Sequence, residues 1–168
     1  AAGYDIRDTI LAYTARIAPS KVILGVPYYG RAWSTSSSAL QAANASSMKT
    51  GPSTSVDYDT ATDYLANYGH RFDPGEQVAW TAYRRENCTS AYGCVTSWRQ
   101  LYVDDARAIG AKYDLVNAYH LRGAGIWALG YDGTRPELYD TIQRKFITDS
   151  TAPRAGIAGY RVAGKTGT

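Results

Sequence analysis

The side chains best equipped for chemistry in this sequence are aromatic rings. The 168 residues include 15 Tyr and 4 Trp against only 2 Phe. Rings that are apolar on the face and hydrogen-bonding at the edge suit carbohydrate sites and protein interfaces alike. Cys88 and Cys94 lie on either side of Tyr92-Gly93, a turn able to bring their sulfurs within bonding range. A bridge there indicates an oxidising compartment; two free thiols in a loop are the alternative. Metal binding is not expected, because only His70 and His120 could join the cysteines and neither has ligand spacing relative to them. No cofactor is expected either.

Composition removes other partners. A net charge of +3 with scattered Lys and Arg gives no basic face for nucleic acid. With 45% hydrophobic and 20% charged residues the chain is ordinary for a globular domain. No apolar run approaches the roughly 18 residues of a membrane span. Residues 1–5 show no basic region followed by an apolar segment, so a soluble chain is expected, with any export signal outside it.

The elements that must position these rings follow from periodicity. Asp5 precedes Ile6, Ile10, Tyr13 and Ile17, one helical stripe stopped by Pro19. Residues 21–29 form a nearly continuous apolar run, the pattern of a parallel strand covered on both faces, with Pro27 at its end. Residues 34–54 are rich in Ser, Ala and Thr without periodicity and predict a long exposed excursion. A short helix is expected over 59–68, with Asp59 or Thr60 as cap and Gly69 beyond its end. A hairpin with a Pro74-Gly75 turn follows over 71–83, leading into a second loop that carries the cysteines. Asp104 or Asp105 opens a helix with Ile109, Tyr113, Val116 and His120 as its buried stripe and Gly110 as a local weakness. Residues 123–130 are apolar and bounded by glycines, a second buried strand. Thr134 is expected to cap a last helix lined by Leu138, Ile142 and Phe146. Helices and strands thus alternate, the order of an α/β fold with parallel strands. Residues 148–168 lose this patterning and are expected to form a linker, with the start of a further β-module over 158–162.

Two segments together resemble the family 18 glycoside hydrolases, the chitinases and chitinase-like proteins. Residues 24–33, LGVPYYGRAW, resemble that family's seventh barrel strand and the YGR after it; residues 123–132, GAGIWALGYD, resemble its eighth. Between them YVDD at 102–105 is similar to the motif opening the helix before the eighth strand, and Lys112 stands where that helix often carries a lysine. The three in order span about Asp5 to Phe146. The resemblance implies the last quarter of a (β/α)8 TIM barrel, a fold of around 250 residues, over residues 1–147.

What the family does then becomes an expectation for this chain. Its acid is the last Glu of a DxxDxDxE run, which has no match in these residues, so no catalytic residue is expected in the chain and it is expected to be inactive alone. The attacking group is the substrate's own N-acetyl carbonyl. The strand-eight tryptophan is the floor under the bent sugar, and Trp127 stands there; plain barrel core is the alternative. Arg31 matches the arginine that reaches over the cleft to sugar hydroxyls, unless it serves an ordinary ion pair. Tyr29 ends the seventh strand, where barrel sites gather. Trp33, Trp80, Tyr83 and Arg84 are expected to line the cleft wall from the insertion, against the alternative that they pack the insertion's own small core. Asp104, Asp105, Asp132, Glu86 and Glu137 are rejected as catalysts, and GYD at 130–132 departs from the commoner acidic pair. The implied parent is a secreted hydrolase of chitin or a related amino-sugar polymer; the rival is a lectin of the same fold. Strands cut from a barrel leave unpaired edges, so self-association is also expected.

Overall fold

The structure, a computed structural model, describes residues 5–148. The linker expected over 148–168, beyond its first residue, and the β-module start expected over 158–162 lie outside the described residues. Two parallel strands, β1 (Ile23–Pro27) and β7 (Gly123–Trp127), pair in register from Ile23 opposite Gly123 to Pro27 opposite Trp127. Helix α1 (Ile6–Thr14) precedes β1, and Asp5 caps it by accepting from the Asp8 N–H at 2.8 Å. Of its expected stripe only Ile10 is buried; Tyr13 and Ile17 are exposed. β1 is likewise not covered throughout. Val26 is buried, whereas Ile23 is 58% exposed.

What the sequence suggested was loop between β1 and the next helix is largely an antiparallel sheet. Strands β2 (Tyr29–Thr35), β3 (Thr54–Asp57), β4 (Arg71–Asp73), β5 (Val78–Thr89) and β6 (Gly93–Val103) assemble in the order β3-β2-β6-β5-β4. The expected hairpin over 71–83 is present as β4 and the start of β5. The cysteines lie on strands, not in a loop: β5 and β6 pair continuously from Ala79 opposite Val103 to Thr89 opposite Gly93. Cys88 and Cys94 face each other across that ladder and are joined by a disulfide, S–S 2.08 Å. Periodicity missed these strands because polar residues such as Arg85, Glu86, Asn87, Thr89, Thr96 and Ser97 interrupt any apolar alternation near the tip, where both faces meet water.

Strand alternation explains which side chains go where. One face of the sheet carries Ala32, Ala79, Leu101 and Val103, all buried, and packs on helix α2 (Tyr58–Tyr68) through Ala61 and Leu65. Gly30 lies on this face because nothing larger fits: a Cβ there would sit 2.5 Å from the Tyr102 carbonyl oxygen and 2.8 Å from Val103 Cβ. α2 is capped by Asp57, two residues before the expected cap, which accepts from the Thr60 N–H at 2.8 Å. Gly69 ends it at φ +95°, a conformation that favours glycine.

Helix α3 (Ala106–Ala118) is capped by Asp105 and buries Ile109, Tyr113 and Val116. His120 does not join that stripe; it lies past the helix end at φ 51° and is exposed, while Leu121 takes the buried place. Helix α4 (Glu137–Ile142) begins after Pro136 with no side-chain cap, so Thr134 does not play that part. It continues as a π-helix over Gln143–Thr148, and Phe146 packs on Tyr113 with ring centroids 4.8 Å apart. Gly110 faces this segment without being required by it: a Cβ there would lie 3.6 Å from Lys145 and Thr141 side-chain atoms, an ordinary contact. The main core is continuous, running from Val26 and Tyr28 through Leu65, Tyr83 and Leu101 to Ile109, Tyr113 and Leu138.

Candidate functional site

The parallel strands end at one point. Trp127 is the last residue of β7 and is 69% exposed, the least expected fate for a large apolar ring; β7 is half-buried over Gly123–Ile126 and ends at Trp127, in place of the buried strand expected over 123–130. Its backbone is fixed, since the Tyr28 N–H donates to the Trp127 carbonyl at 2.7 Å; the peptide after it is cis. The neighbouring strand β1 runs through Tyr28 directly into β2, so Tyr29 and Arg31 follow immediately beside the Trp127 end. Carboxyl ends of parallel strands are where α/β folds place ligands.

The sheet register sorts the remaining sequence-predicted residues. Arg31 is opposite Tyr102, and Tyr102 is opposite Trp80. Trp33 is opposite Gln100, and Arg84 is opposite Trp98. Tyr29, Arg31, Trp33, Trp80 and Arg84 therefore share the face turned away from α2. Tyr83 has the opposite parity and points the other way. It is 6% exposed and packs against Tyr64 and Tyr68, with centroids 4.8 and 5.0 Å away. Tyr83 is thus core of the insertion and not cleft wall, and burial pushes its phenol pKa upward.

Trp80 is on the right face but covered. At 6% exposure it stacks on Tyr102, 6.0 Å between centroids, beneath the Arg71 guanidinium at 5.0 Å. It too is packing rather than wall. Trp33 is half-buried, makes an edge contact with Tyr102 at 6.0 Å, and lines an open cavity of about 390 Å³ with Gln41, Asn44, Glu76 and Gln100. Arg84 is exposed far along the hairpin, over the Trp98 ring at 5.1 Å. Arg31 is exposed and pairs with no carboxylate among the described residues; its Nη2 donates to Ser53 Oγ at 2.7 Å.

Tyr102 and the two glutamines are the residues sequence reasoning missed. Tyr102 stood in the motif expected to open α3, yet β6 runs to Val103 and puts it at the sheet's centre. Its hydroxyl accepts from the Gln41 N–H at 3.1 Å and donates to Gln100 Oε1 at 3.0 Å, which ties the 36–46 excursion onto the sheet. The Gln41 amide also donates to Asp73 Oδ2 at 2.8 Å. That bond, with the Glu76 and Gly75 N–H groups, holds the Asp73 carboxyl below its ordinary range against the opposing effect of burial. A period-two count from Arg31 was the signal that could have found Tyr102's partners.

The carboxylates that the chain does carry near these elements are engaged in structure. Asp104, 6% exposed, pairs with Lys112; Asp57 and Asp105 are caps; Glu137 is half-buried and accepts from the Tyr58 hydroxyl at 3.2 Å. Burial raises the Tyr58, Tyr28 and Tyr113 pKa values, the last two joined hydroxyl to hydroxyl at 3.4 Å. Among the described residues the one cluster with metal-ligand reach is Glu86, Cys88 and Cys94, whose sulfurs are already bonded to each other.

The arrangement is a mixed α/β fold with a parallel βα edge, an antiparallel insertion and an exposed indole where the two meet. Solved structures share it. A chitinase from Chromobacterium violaceum matches at 22% identity and TM-score 0.60, covering 83% of this chain and 37% of its own. A spore cortex-lytic enzyme from Bacillus megaterium matches at 24% and 0.59, covering 84% and 29%. Human YKL-39, described as a pseudo-chitinase with retained chitooligosaccharide binding, matches at 18% and 0.64, covering 84% and 40%. The chain thus spans between 29% and 40% of the length of these structures. No curated protein matches it. The family model for glycosyl hydrolases family 18 matches residues 2–132, and the chain belongs to that family.

Proposed function

We propose that β1 and β7 are the seventh and eighth strands of a family 18 barrel and that the chain supplies the sugar floor and one cleft wall of a secreted hydrolase of β-1,4-linked N-acetylglucosamine polymers. The observation carrying this is Trp127, an indole 69% exposed at the carboxyl end of a parallel strand. Pyranose C–H groups pack on such a face while the ring hydroxyls remain free for polar contacts. Arg31 donates to those hydroxyls from the neighbouring edge; Tyr29 sits between the two; Trp33 extends the wall. In this reading the retaining mechanism is substrate-assisted. Trp127 holds the bent sugar so that its N-acetyl carbonyl oxygen reaches the anomeric carbon, while the proton donor belongs to a DxxDxDxE run that these 168 residues do not contain. The Cys88–Cys94 disulfide supports an oxidising, extracellular setting.

A second reading is a sugar-binding protein without hydrolysis. The likeness to a pseudo-chitinase and to a chitinase-like agglutinin from Robinia pseudoacacia favours it. Both readings keep Trp127 as the platform, and titrating Trp127→Ala with chito-oligosaccharide tests that platform.

The 168-residue chain alone is expected to give no turnover of a fluorogenic chitobioside; turnover above blank by purified chain would overturn the missing-donor reading. The same preparation is expected to self-associate. β1 and β7 pair only with each other among the described strands, and Ile23 and Leu129 stand 58% and 78% exposed beside them. A monodisperse monomer at micromolar concentration by size-exclusion chromatography with light scattering would contradict that.

A further inference from the structure

The segment leaving Trp127 is held by something other than its own fold. From Ala128 to Pro136 it is a succession of turns, with Tyr131 N–H to Ala128 O at 3.2 Å, Gly133 to Gly130 at 3.1 Å and Arg135 to Asp132 at 3.0 Å. Turns of this kind fix local shape but not the height of the segment above the sheet. That height is set from α2. Asp59 and Asp63, one helical turn apart and so on one face, both accept from the Arg135 guanidinium: Nε to Asp59 and Nη2 to Asp63, each at 2.6 Å. The Asp59 N–H donates to the Tyr131 carbonyl at 2.9 Å. Gly133, at φ +58°, lies so close that a Cβ on it would stand 2.6 Å from Asp59 Cγ.

Arg135 suits this task because its planar fork donates along two fixed directions, which an ammonium does not. Partial burial opposes its charge, but the two carboxylates outweigh it and hold its pKa above the ordinary value. α2 belongs to the insertion, so the three side chains bind the insertion to the segment that continues from the exposed indole.

We infer that Arg135, with Asp59 and Asp63, is a positioning residue for sugar binding: it fixes the segment after β7, which continues from the Trp127 ring, relative to the insertion wall. The inference rests on Trp127 being the sugar platform. It goes further in making the insertion and the floor one adjustable cleft whose setting is electrostatic. Exposed ion pairs are screened by salt, so the setting is sensitive to ionic strength.

The test is a chito-oligosaccharide titration by tryptophan fluorescence on the full-length protein, run for the wild type, Arg135→Gln, Arg135→Lys, Asp63→Asn, Gly133→Ala and Trp127→Ala at low and high salt. Arg135→Gln is expected to weaken binding roughly fivefold and Asp63→Asn roughly twofold, with Arg135→Lys recovering part of the loss. Wild-type affinity should fall with salt, and Arg135→Gln should lose that dependence. Gly133→Ala should weaken binding with every charge retained, because the methyl forces the segment off Asp59. Asp63 is 66% exposed, so its variant reports on positioning even should Arg135→Gln fail to fold. If Trp127→Ala abolishes the response while Asp63→Asn and Arg135→Gln bind as the wild type at low salt, the positioning inference falls and the platform stands. An unchanged response in Trp127→Ala removes the platform itself, whatever the ion cluster does.

Discussion

Trp127→Ala is expected to abolish the fluorescence response of the full-length protein to chito-oligosaccharide and to weaken binding by about 2 kcal/mol or more, thirtyfold or more in affinity. The magnitude follows from the ring's situation. A large aromatic anchor at the centre of a site carries a disproportionate share of binding, and this one offers its surface rather than spending it on the core. For the same reason the substitution should leave folding stability within about 0.5 kcal/mol of the wild type. A titration unchanged in affinity would remove Trp127 from the site; a large fall in thermal midpoint would show the ring to be structural.

Asp104→Ala has the largest expected effect on stability. Asp104 sits between the end of β6 and the cap of α3, 6% exposed, and pairs with Lys112 two turns into that helix. Lys112 is itself only 16% exposed at its side chain. Removing the carboxylate leaves a buried ammonium with no counter-charge, a loss of about 3–5 kcal/mol. For a domain of this size that corresponds to a fall of roughly 6–20 °C in thermal midpoint. Replacing both partners, Asp104→Leu with Lys112→Met, should recover most of it, because the penalty lies in the orphaned charge. Urea denaturation measures both; an Asp104→Ala variant within 1 kcal/mol of the wild type would show that water reaches Lys112 and that the pair is not sealed.

The parallel strands and the helices were legible in position from apolar runs, stripes and caps, although the burial is partial: α1 buries only Ile10 of its stripe and β1 only Val26. Val26, Ile10, Ile109 and Leu138 are where periodicity put them. Beyond the 71–83 hairpin the antiparallel insertion was not legible, because both its faces mix polar and apolar residues: Arg31 and Arg84 stand beside Trp33 and Trp80 on one, and Ser34, Thr81 and Arg99 beside Leu101 and Val103 on the other, so no apolar alternation survives in the sequence. The same sheet decides the site. Trp33 was expected on the wall and Arg31 over the cleft, and both lie on its outward face, while Trp80 and Tyr83 looked equivalent in sequence and are packing residues. Parity along a strand separates Tyr83 from Trp80, and parity is invisible until the strand is known. Tyr102 and Arg135 were missed because their importance comes from partners about 60 and more than 70 positions away along the chain.

The unbroken core from Val26 through Leu101 to Leu138 means that the insertion is not a detachable module. Transplanting residues 29–103 onto another scaffold would expose Ala32, Ala79, Leu101 and Val103 wherever the recipient lacked matching helices, and deleting them here would strip Ile109 and Tyr113 of their cover. Divergence in this part of the protein is therefore confined to the exposed tip of the hairpin, where side chains can be exchanged without disturbing the shared interior.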